Sequence, residues 1–326
     1  MDGQVRIAKK SRKLWRYGVV LFVAIVFFSV NGVGFFLGNK VFEEASVLHT
    51  RPNRSDSAQL KARLERGKEQ LGWQDITLTS PFGYPLQGTF IPNSQPSTKT
   101  IIFLHGFTGS RLDGLGYARV YLNAGFNFLM IDSRRHGDSG GDSVSWGVYE
   151  KDDLDQWIGW LQQRFPHGQI GVHGISMGAA TALLHAAKNN QNDAVSFYIA
   201  DSSFDDFDAL LREQIRQRLP QLEPQLSDLL LVYANLAAYW HGRFLYYDAS
   251  PLRIASQIHT PVLYLHGEAD KLIPVAMSRT LYERTGALTQ LVTFPAMDHI
   301  QAAFQVRREY WQTVENFIAL VPKTPR

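Results

Sequence analysis

The chain has 326 residues, of which 45% are apolar and 19% are charged, and it contains no cysteine. This composition excludes a disordered chain, a collagen-like repeat and a disulfide-stapled miniprotein, and it provides enough apolar material for one large core. The lack of cysteine also excludes a thiolate nucleophile and cysteine-based zinc or iron–sulfur sites. The net charge is +3, but residues 1–17 carry six Lys and Arg side chains against one Asp. The remaining chain is slightly acidic, so we expect no nucleic-acid-binding face.

An uncharged segment, Gly18 to Leu37, directly follows this basic cluster. A helix of about 20 residues crosses the ~30 Å hydrocarbon core of a bilayer, and Trp15 and Tyr17 lie where interfacial aromatic residues are common. The positive charge on the N-terminal side predicts a single-pass protein of the cell membrane. Residues 1–17 would then be a cytoplasmic tail, and the domain that follows the segment would be extracytoplasmic.

Two alternatives to a membrane anchor are a cleaved signal peptide and a buried core helix. Gly32, Val33 and Gly34 loosely match a small-x-small cleavage site, but the apolar run continues to Leu37, which favours an uncleaved anchor. Gly34 and Gly38 form a GxxxG pair of the kind that associates membrane helices, although it lies near the end of the helix. Residues 38–72 are more polar and are predicted to form a stalk with a short amphipathic helix.

From Trp73 onward, short apolar runs alternate with longer helical patterns, which is typical of βαβ units around a parallel sheet. Eight strands are predicted, at residues 76–79, 87–91, 100–104, 127–131, 169–172, 196–199, 262–265 and 290–293. Helices are predicted at residues 114–124, 148–165, 177–188, 275–285 and 302–318. The runs IIFL, FNFLMI and VLYL suit central strands, whereas the two more polar first strands suit an antiparallel edge.

The alternation breaks at about residues 203–250, where helical periodicity continues without a convincing strand. A long insertion in such a sheet is more often a lid over the site than a plain loop. Its aromatic residues either line an apolar substrate pocket or pack the lid onto the sheet. These aromatic residues are Tyr233, Tyr239, Trp240, Phe244, Tyr246 and Tyr247.

A candidate nucleophile lies in the motif Gly174-Ile175-Ser176-Met177-Gly178, between a strand and a helix rich in small residues. A serine attacks a carbonyl only if its Oγ is exposed and a base accepts its proton, and a strained strand-to-helix elbow provides the exposure. The GxSxG pattern alone is weak. The strand before it and the helix after it favour a catalytic role for Ser176.

An acid and a base should follow the nucleophile, each just beyond a strand end. Asp270 follows the strand VLYL, and His299 follows the last strand and precedes the last helix. We predict Ser176 as nucleophile, His299 as general base and Asp270 as the acid that orients the imidazole. Asp298 and Asp201 are the other carboxylates that could serve His299.

The oxyanion of a tetrahedral intermediate needs two converging N–H donors. One should come from the residue after the nucleophile, Met177, and the other from the loop His105-Gly106-Phe107, which follows the strand IIFL. The backbone N–H groups of Phe107 and Met177 are therefore the predicted oxyanion hole. The sequence has no HExxH and no P-loop motif, so neither a metal nor another cofactor is expected.

These motifs and their order resemble those of the α/β-hydrolase-fold serine hydrolases over residues 73–326. The matching strings are HGF, the loop DSRRHGDSGG from Asp132, GISMG, GEADKLIP and MDH. More narrowly, the sequence resembles bacterial membrane-anchored esterases and serine-aminopeptidase-like members. The resemblance implies an α/β fold with a mostly parallel eight-stranded sheet, helices on both faces and a helical lid. Arg135 departs from the pattern, because many relatives have glycine there.

The predicted function is membrane-anchored hydrolysis of a carboxylic ester through a Ser-His-Asp triad and an acyl-enzyme. The substrate would be a small-molecule or lipid-like acyl compound. One alternative is an aminopeptidase-like amide hydrolase, in which Asp205, Asp206 or Asp208 would bind a free α-amine. A non-catalytic, membrane-tethered binding protein is a second alternative. The sequence predicts neither the physiological substrate nor the oligomeric state.

Overall fold

The computed structural model describes residues 2–50 and 57–321, and of residues 2–14 it describes the backbone alone. The side chains of most of the basic cluster and the chain after residue 321 therefore lie outside the described residues. Two helices, α1 (Asp2–Ser46) and α2 (Ala58–Leu71), precede the sheet. Within α1, residues Trp15–Ser46 are long and apolar enough to cross a membrane, and the most apolar window of that stretch is not buried in the protein.

Eight strands form one sheet, and each predicted strand is present. They are β1 (Gln74–Thr79), β2 (Pro85–Ile91), β3 (Thr100–Leu104), β4 (Asn127–Ile131), β5 (Ile170–Ile175), β6 (Phe197–Asp201), β7 (Val262–Gly267) and β8 (Thr289–Phe294). Their order in the sheet is β1-β2-β4-β3-β5-β6-β7-β8. Strands β3 to β8 pair in parallel, whereas β2 is antiparallel to both β1 and β4. The prediction of a mostly parallel sheet is therefore confirmed.

The first two strands differ from the prediction in one respect, because only β1 lies at the edge. Strand β2 lies inside the sheet, and its second half is buried. Gly88 of β2 lies under Trp157, and a Cβ at Gly88 would be 2.8 Å from the indole ring. The indole ring covers the strand at this position, which explains how β2 lies inside the sheet although it contains the polar residues Gln87 and Thr89.

Helices cover both faces of the sheet. They are α3 (Ala118–Asn123), α4 (Glu150–Arg164), α5 (Met177–Asn189), α6 (Phe207–Arg218), α7 (Pro224–Gly242), α8 (Pro251–Ile254), α9 (Val275–Arg284), α10 (Ala302–Gln305) and α11 (Arg307–Leu320). Alternate residues of β3 point to opposite faces: Ile101 and Phe103 join the core beneath α3 and α11, whereas Ile102 and Leu104 join the core beneath α4 and α5.

Two predicted helices are interrupted. Residues 302–318 form α10 and α11, separated at Val306, whose backbone (φ −112°, ψ 46°) is not helical. Residues 114–124 begin instead in a 3-10 helix, Arg111–Gly116, which precedes α3. Ser110 and Asp113 form a capping box at the start of that 3-10 helix, and this local bonding starts it earlier than the apolar pattern indicates.

The insertion after β6 contains α6, α7 and a 3-10 turn, Tyr246–Asp248, and it packs above the C-terminal ends of the strands. The segment predicted as a stalk comprises the end of α1, a turn and α2. Several of its side chains are buried against the hydrolase domain, among them Phe42 and Leu64. Ser46 is fully buried, and its hydroxyl lies 3.0 Å from that of Tyr246 in the lid.

Candidate active site

Ser176 lies in a sharp turn between β5 and α5. Its φ of 53° and ψ of −118° lie in a region that a non-glycine residue occupies only at a cost. Two flanking glycines make the turn possible. A Cβ at Gly174 would lie 2.1 Å from the Gly178 carbonyl oxygen, and a Cβ at Gly178 would lie 2.3 Å from the Leu104 carbonyl oxygen. The GxSxG spacing is therefore dictated by backbone contacts around the serine.

The loops after β5, β7 and β8 bring Ser176, Asp270 and His299 together. The His299 Nε2 lies 2.9 Å from the Ser176 Oγ, and its Nδ1 lies 2.6 Å from the Asp270 Oδ2. His299 is 123 positions from Ser176 and 29 positions from Asp270, and each of the three residues follows a different strand, so the parallel sheet brings them together at one edge. The arrangement can pass a proton from a hydroxyl to an imidazole whose other nitrogen contacts a carboxylate.

The second oxygen of Asp270 is also fixed. Its Oδ1 accepts hydrogen bonds of 2.9 Å from the backbone N–H groups of Leu272 and Ile273. His266 approaches the Oδ2 at 3.2 Å. Burial opposes ionisation of this carboxyl group, but the hydrogen bonds with His266 and His299 outweigh burial and hold the pKa of Asp270 well below its usual range. Asp270 is therefore an oriented carboxylate rather than a proton donor.

The two other candidate carboxylates contact different partners. Asp298 accepts the backbone N–H groups of His299 at 2.8 Å and Lys271 at 3.2 Å, which keep its pKa below the usual range. Asp201 accepts hydrogen bonds from the hydroxyl groups of Tyr310 at 2.8 Å and Ser202 at 2.9 Å. Neither carboxylate has a hydrogen bond to the His299 ring among the described residues.

The backbone N–H groups of Phe107 and Met177 flank the serine. Met177 is the first residue of α5, where an N–H has no partner within the helix. The Phe107 loop passes close by, because a Cβ at Gly106 would lie 3.2 Å from the Ser176 Cβ. Within the part of the chain that the structure describes, neither N–H has a hydrogen-bond acceptor. Neither group would therefore lose a protein hydrogen bond by binding another acceptor.

Two buried interactions stabilise the loop that contains Phe107. His105 Nε2 accepts the Ser133 N–H at 3.0 Å, so its Nδ1 carries the proton and donates to the Gly106 carbonyl at 2.7 Å. The buried pair of Arg111 and Asp132 was not predicted, and the only signal for it is that Asp132 follows β4 directly.

An apolar wall surrounds the serine on the lid side. The Trp146 ring stacks on Phe207 with 3.9 Å between centroids and lies 4.8 Å from Phe107, and Phe204 and Met177 belong to the same buried cluster. The six predicted lid aromatics divide into two groups. Tyr233, Phe244 and Tyr246 are buried, whereas Tyr239, Trp240 and Tyr247 are exposed. The described part of the chain contains no group of three or more His, Asp or Glu side chains that could hold a metal ion.

Comparisons with known proteins agree with this architecture. The profile described as the alpha/beta hydrolase fold matches residues 99–245. YqkD, an uncharacterised protein of Bacillus subtilis, is 37% identical over 254 residues, which are 77% of this chain and 80% of that protein. An uncharacterised membrane protein of Saccharomyces cerevisiae is 25% identical over 254 residues, covering 76% of this chain and 79% of the yeast protein.

The structural comparison identifies the same architecture. An esterase of Pyrococcus furiosus superposes with a TM-score of 0.63 at 26% sequence identity, covering 78% of this chain and 93% of the esterase. The chain belongs to the α/β-hydrolase family.

Proposed function

We propose that this hydrolase is a serine carboxylesterase that is anchored in the membrane by α1. The observation that carries the proposal is the contact series from Ser176 Oγ through the His299 ring to Asp270, at 2.9 and 2.6 Å, on a strained elbow. Similarity to an esterase supports the reaction class. A non-catalytic binding protein would have no need for a backbone cost at Ser176.

In the proposed reaction, Ser176 Oγ attacks the ester carbonyl while His299 Nε2 accepts the hydroxyl proton. The backbone N–H groups of Phe107 and Met177 bind the resulting oxyanion. His299 then donates the proton to the departing alkoxide, and the C–O bond breaks to leave an acyl-enzyme. Water, deprotonated by His299, attacks the acyl carbonyl, and Ser176 leaves with its proton restored. Asp270 stabilises the imidazolium ion in both halves of the cycle.

An ester substrate is favoured over a peptide by the apolar wall and by the lid carboxylates. Asp206 pairs with Arg253 at 3.2 Å, and Asp208 contacts Arg212 at 3.3 Å, so both are engaged within the protein. Asp205 has no cationic partner among the described residues, and burial beside Asp206 raises its pKa to about 6. It is the one specific observation that favours an aminopeptidase-like activity as a second candidate.

The serine assignment is tested with a fluorophosphonate probe. The wild-type protein should be labelled covalently, and Ser176→Ala should lose both labelling and hydrolysis because the attacking oxygen is removed. Ser203→Ala is a matched control, since that buried hydroxyl donates to the Phe204 carbonyl at 2.8 Å, and it should retain labelling. Persistent labelling of Ser176→Ala would refute the assignment.

Substrate preference is tested with p-nitrophenyl esters of increasing chain length against aminoacyl p-nitroanilides. We expect turnover of the esters. If the anilides are preferred and Asp205→Asn abolishes their turnover, the aminopeptidase candidate replaces the esterase.

The anchoring proposal places residues 1–17 in the cytoplasm and the hydrolase domain outside it. It is supported by the length and apolar character of α1 and by the basic residues that precede its apolar part. A protease added to intact cells should digest the domain. Protection in intact cells but digestion after lysis would contradict the proposed orientation.

A further inference from the structure

The second half of the apolar helix α1 packs against lid helix α7. A Cβ at Gly34 would lie 2.2 Å from the Tyr233 ring, and a Cβ at Gly38 would lie 2.5 Å from the Tyr233 backbone. The Tyr233 hydroxyl donates to the Asn31 side-chain oxygen at 2.9 Å. The GxxxG face is thus occupied by this chain's own lid.

The two helices run in the same direction. Further along both of them, His241 lies 2.9 Å from the Asn39 side-chain oxygen, and its ring stacks on Phe42 at 5.3 Å. The first turns of α7 therefore lie beside the second half of the predicted span, and α7 begins roughly 13 Å below the level of Gly38 at 1.5 Å per residue. The first half of α7 lies at the level of the outer leaflet if α1 spans the bilayer.

One face of α7 exposes a stripe of apolar side chains, which we call the lid stripe. Its members recur every three or four residues, as one face of a helix requires. They are Leu226, Leu229, Val232, Leu236, Tyr239 and Trp240, with exposed fractions between 42% and 66%. The neighbouring helix α1 also exposes apolar residues, including Val30, Val33 and Phe36. Two helices that pack on each other therefore both expose apolar side chains.

The lid stripe is graded along its length. Its deeper residues are Leu and Val, whereas Tyr239 and Trp240 lie nearer the level of Lys40, the first charged residue after the span. This is the order in which bilayer-facing side chains are found, with Tyr and Trp at the headgroup level. Asp228, the charged side chain of α7 that lies nearest to the lid stripe, is paired with Arg212 and Arg216 at 3.1 Å each.

We propose that the lid stripe contacts the outer-leaflet lipid of the bilayer that α1 spans, so that the lid is held at the membrane surface. The occupant is lipid because the stripe lies beside α1 at the same depth as exposed apolar residues of α1, and because it ends in Tyr239 and Trp240, the residue types found at the headgroup level. This inference rests on the anchoring proposed above, and it deepens that proposal by assigning the lid, and with it the entry to Ser176, to the bilayer surface.

The absence of cysteine makes the test direct. Single cysteines are introduced into the full-length protein as Val232→Cys and Leu236→Cys in the stripe. Val23→Cys in the span and Gln162→Cys on the exposed side of α4 are the controls. The proteins are reconstituted in phosphatidylcholine vesicles, and reaction with a membrane-impermeant maleimide is measured. Separate samples are labelled with bimane before reconstitution, and quenching by lipids with a nitroxide on the acyl chain is measured.

We expect the two stripe cysteines to react at least tenfold more slowly than the Gln162 control and to be quenched by the nitroxide lipid. Rapid maleimide reaction at the stripe with protection at Val23 would overturn the proposal while leaving the anchor intact. Rapid reaction at Val23 as well would overturn both. Protection without lipid quenching would mean that protein, such as a second copy, covers the stripe, and it would also overturn the proposal. Fluorophosphonate labelling of each variant reports separately on the esterase proposal and on folding.

Discussion

Replacing Asp270 by asparagine is the sharpest test of the proposed mechanism, because the two oxygens of Asp270 have different partners. The Oδ1 accepts two backbone N–H groups at 2.9 Å, and the Oδ2 faces the His299 Nδ1 at 2.6 Å. An asparagine can keep only one of these acceptors. Turning its NH₂ group toward the two N–H donors would leave both unsatisfied, at about 1–3 kcal/mol each. The amide oxygen will therefore stay there, and the NH₂ group will face His299.

That orientation inverts the imidazole tautomer. The His299 Nδ1 would accept from the asparagine NH₂, so the ring proton would move to Nε2, which lies 2.9 Å from the Ser176 hydroxyl. A protonated Nε2 cannot accept the serine proton. The same change in a serine protease lowers kcat by ~10⁴, or roughly 5 kcal/mol of barrier. We expect a loss of that order for Asp270→Asn.

The assay is steady-state hydrolysis of p-nitrophenyl acetate by purified, monodisperse full-length protein in detergent, with equal folded concentrations verified by thermal unfolding. Asp298→Asn and Asp201→Asn are matched controls that remove one negative charge each near the same histidine. Both should retain kcat within about tenfold, because their hydrogen bonds go to other groups. A greater loss in either control than in Asp270→Asn would refute the proposed role of Asp270.

Two further predictions concern the fold. Gly174→Ala should yield little folded protein that a fluorophosphonate can label, because the new Cβ would lie 2.1 Å from a carbonyl oxygen. The control is Gly159→Ala, in the middle of α4, where a Cβ would have no atom within 4 Å; this variant should raise the free energy of unfolding by about 0.5–1 kcal/mol. Equal behaviour of the two variants would contradict this reasoning. Burial raises the pKa of Asp153 to about 7, so the folded protein binds a proton more tightly than the unfolded chain, and the free energy of unfolding should fall by up to roughly 4 kcal/mol as pH rises from about 4 to 7. Asp153→Asn should flatten that pH dependence in thermal unfolding, and an unchanged slope would show that other groups cause it.

The sheet and the candidate site could be predicted because both follow from local patterns joined by one rule. Apolar runs of strand length define the strands, and in a parallel sheet the loops after the strands meet at one edge. That rule alone places the residues after β5, β7 and β8 near each other. Asp298 lies in the loop after β8 and satisfies the same rule, but it is adjacent to His299 in sequence, and its side chain accepts the His299 backbone N–H instead of contacting the ring.

The packing of α1 on the lid could not be predicted in this way. Asn31 and Tyr233 are 202 positions apart, and no periodicity links a membrane-like helix to a lid helix. The GxxxG pair indicated a close helix contact but not its partner. Similarly, the polar character of residues 38–72 predicts a stalk with a short amphipathic helix, but it does not indicate that Phe42 and Leu64 are buried against the domain.

Arg135, the one departure from the family pattern, is explained by the same docking. Its φ of 61° lies in the left-handed region, which costs an arginine roughly 1–2 kcal/mol relative to a favoured conformation and costs glycine little. In return, its Nε donates to the Val47 carbonyl at 3.2 Å, just beyond the end of α1. The neighbouring Trp146 Nε1 donates to the Ala45 carbonyl at 3.1 Å.

These donors satisfy carbonyls that have no partner within a helix at its C-terminus. The Val144 N–H adds a third such bond, to the Ser46 carbonyl at 2.9 Å. Trp146 also stacks on Phe207 at the start of the lid and packs against Phe107. One segment, residues 135–146, therefore contacts the end of α1, the start of the lid and the candidate oxyanion loop.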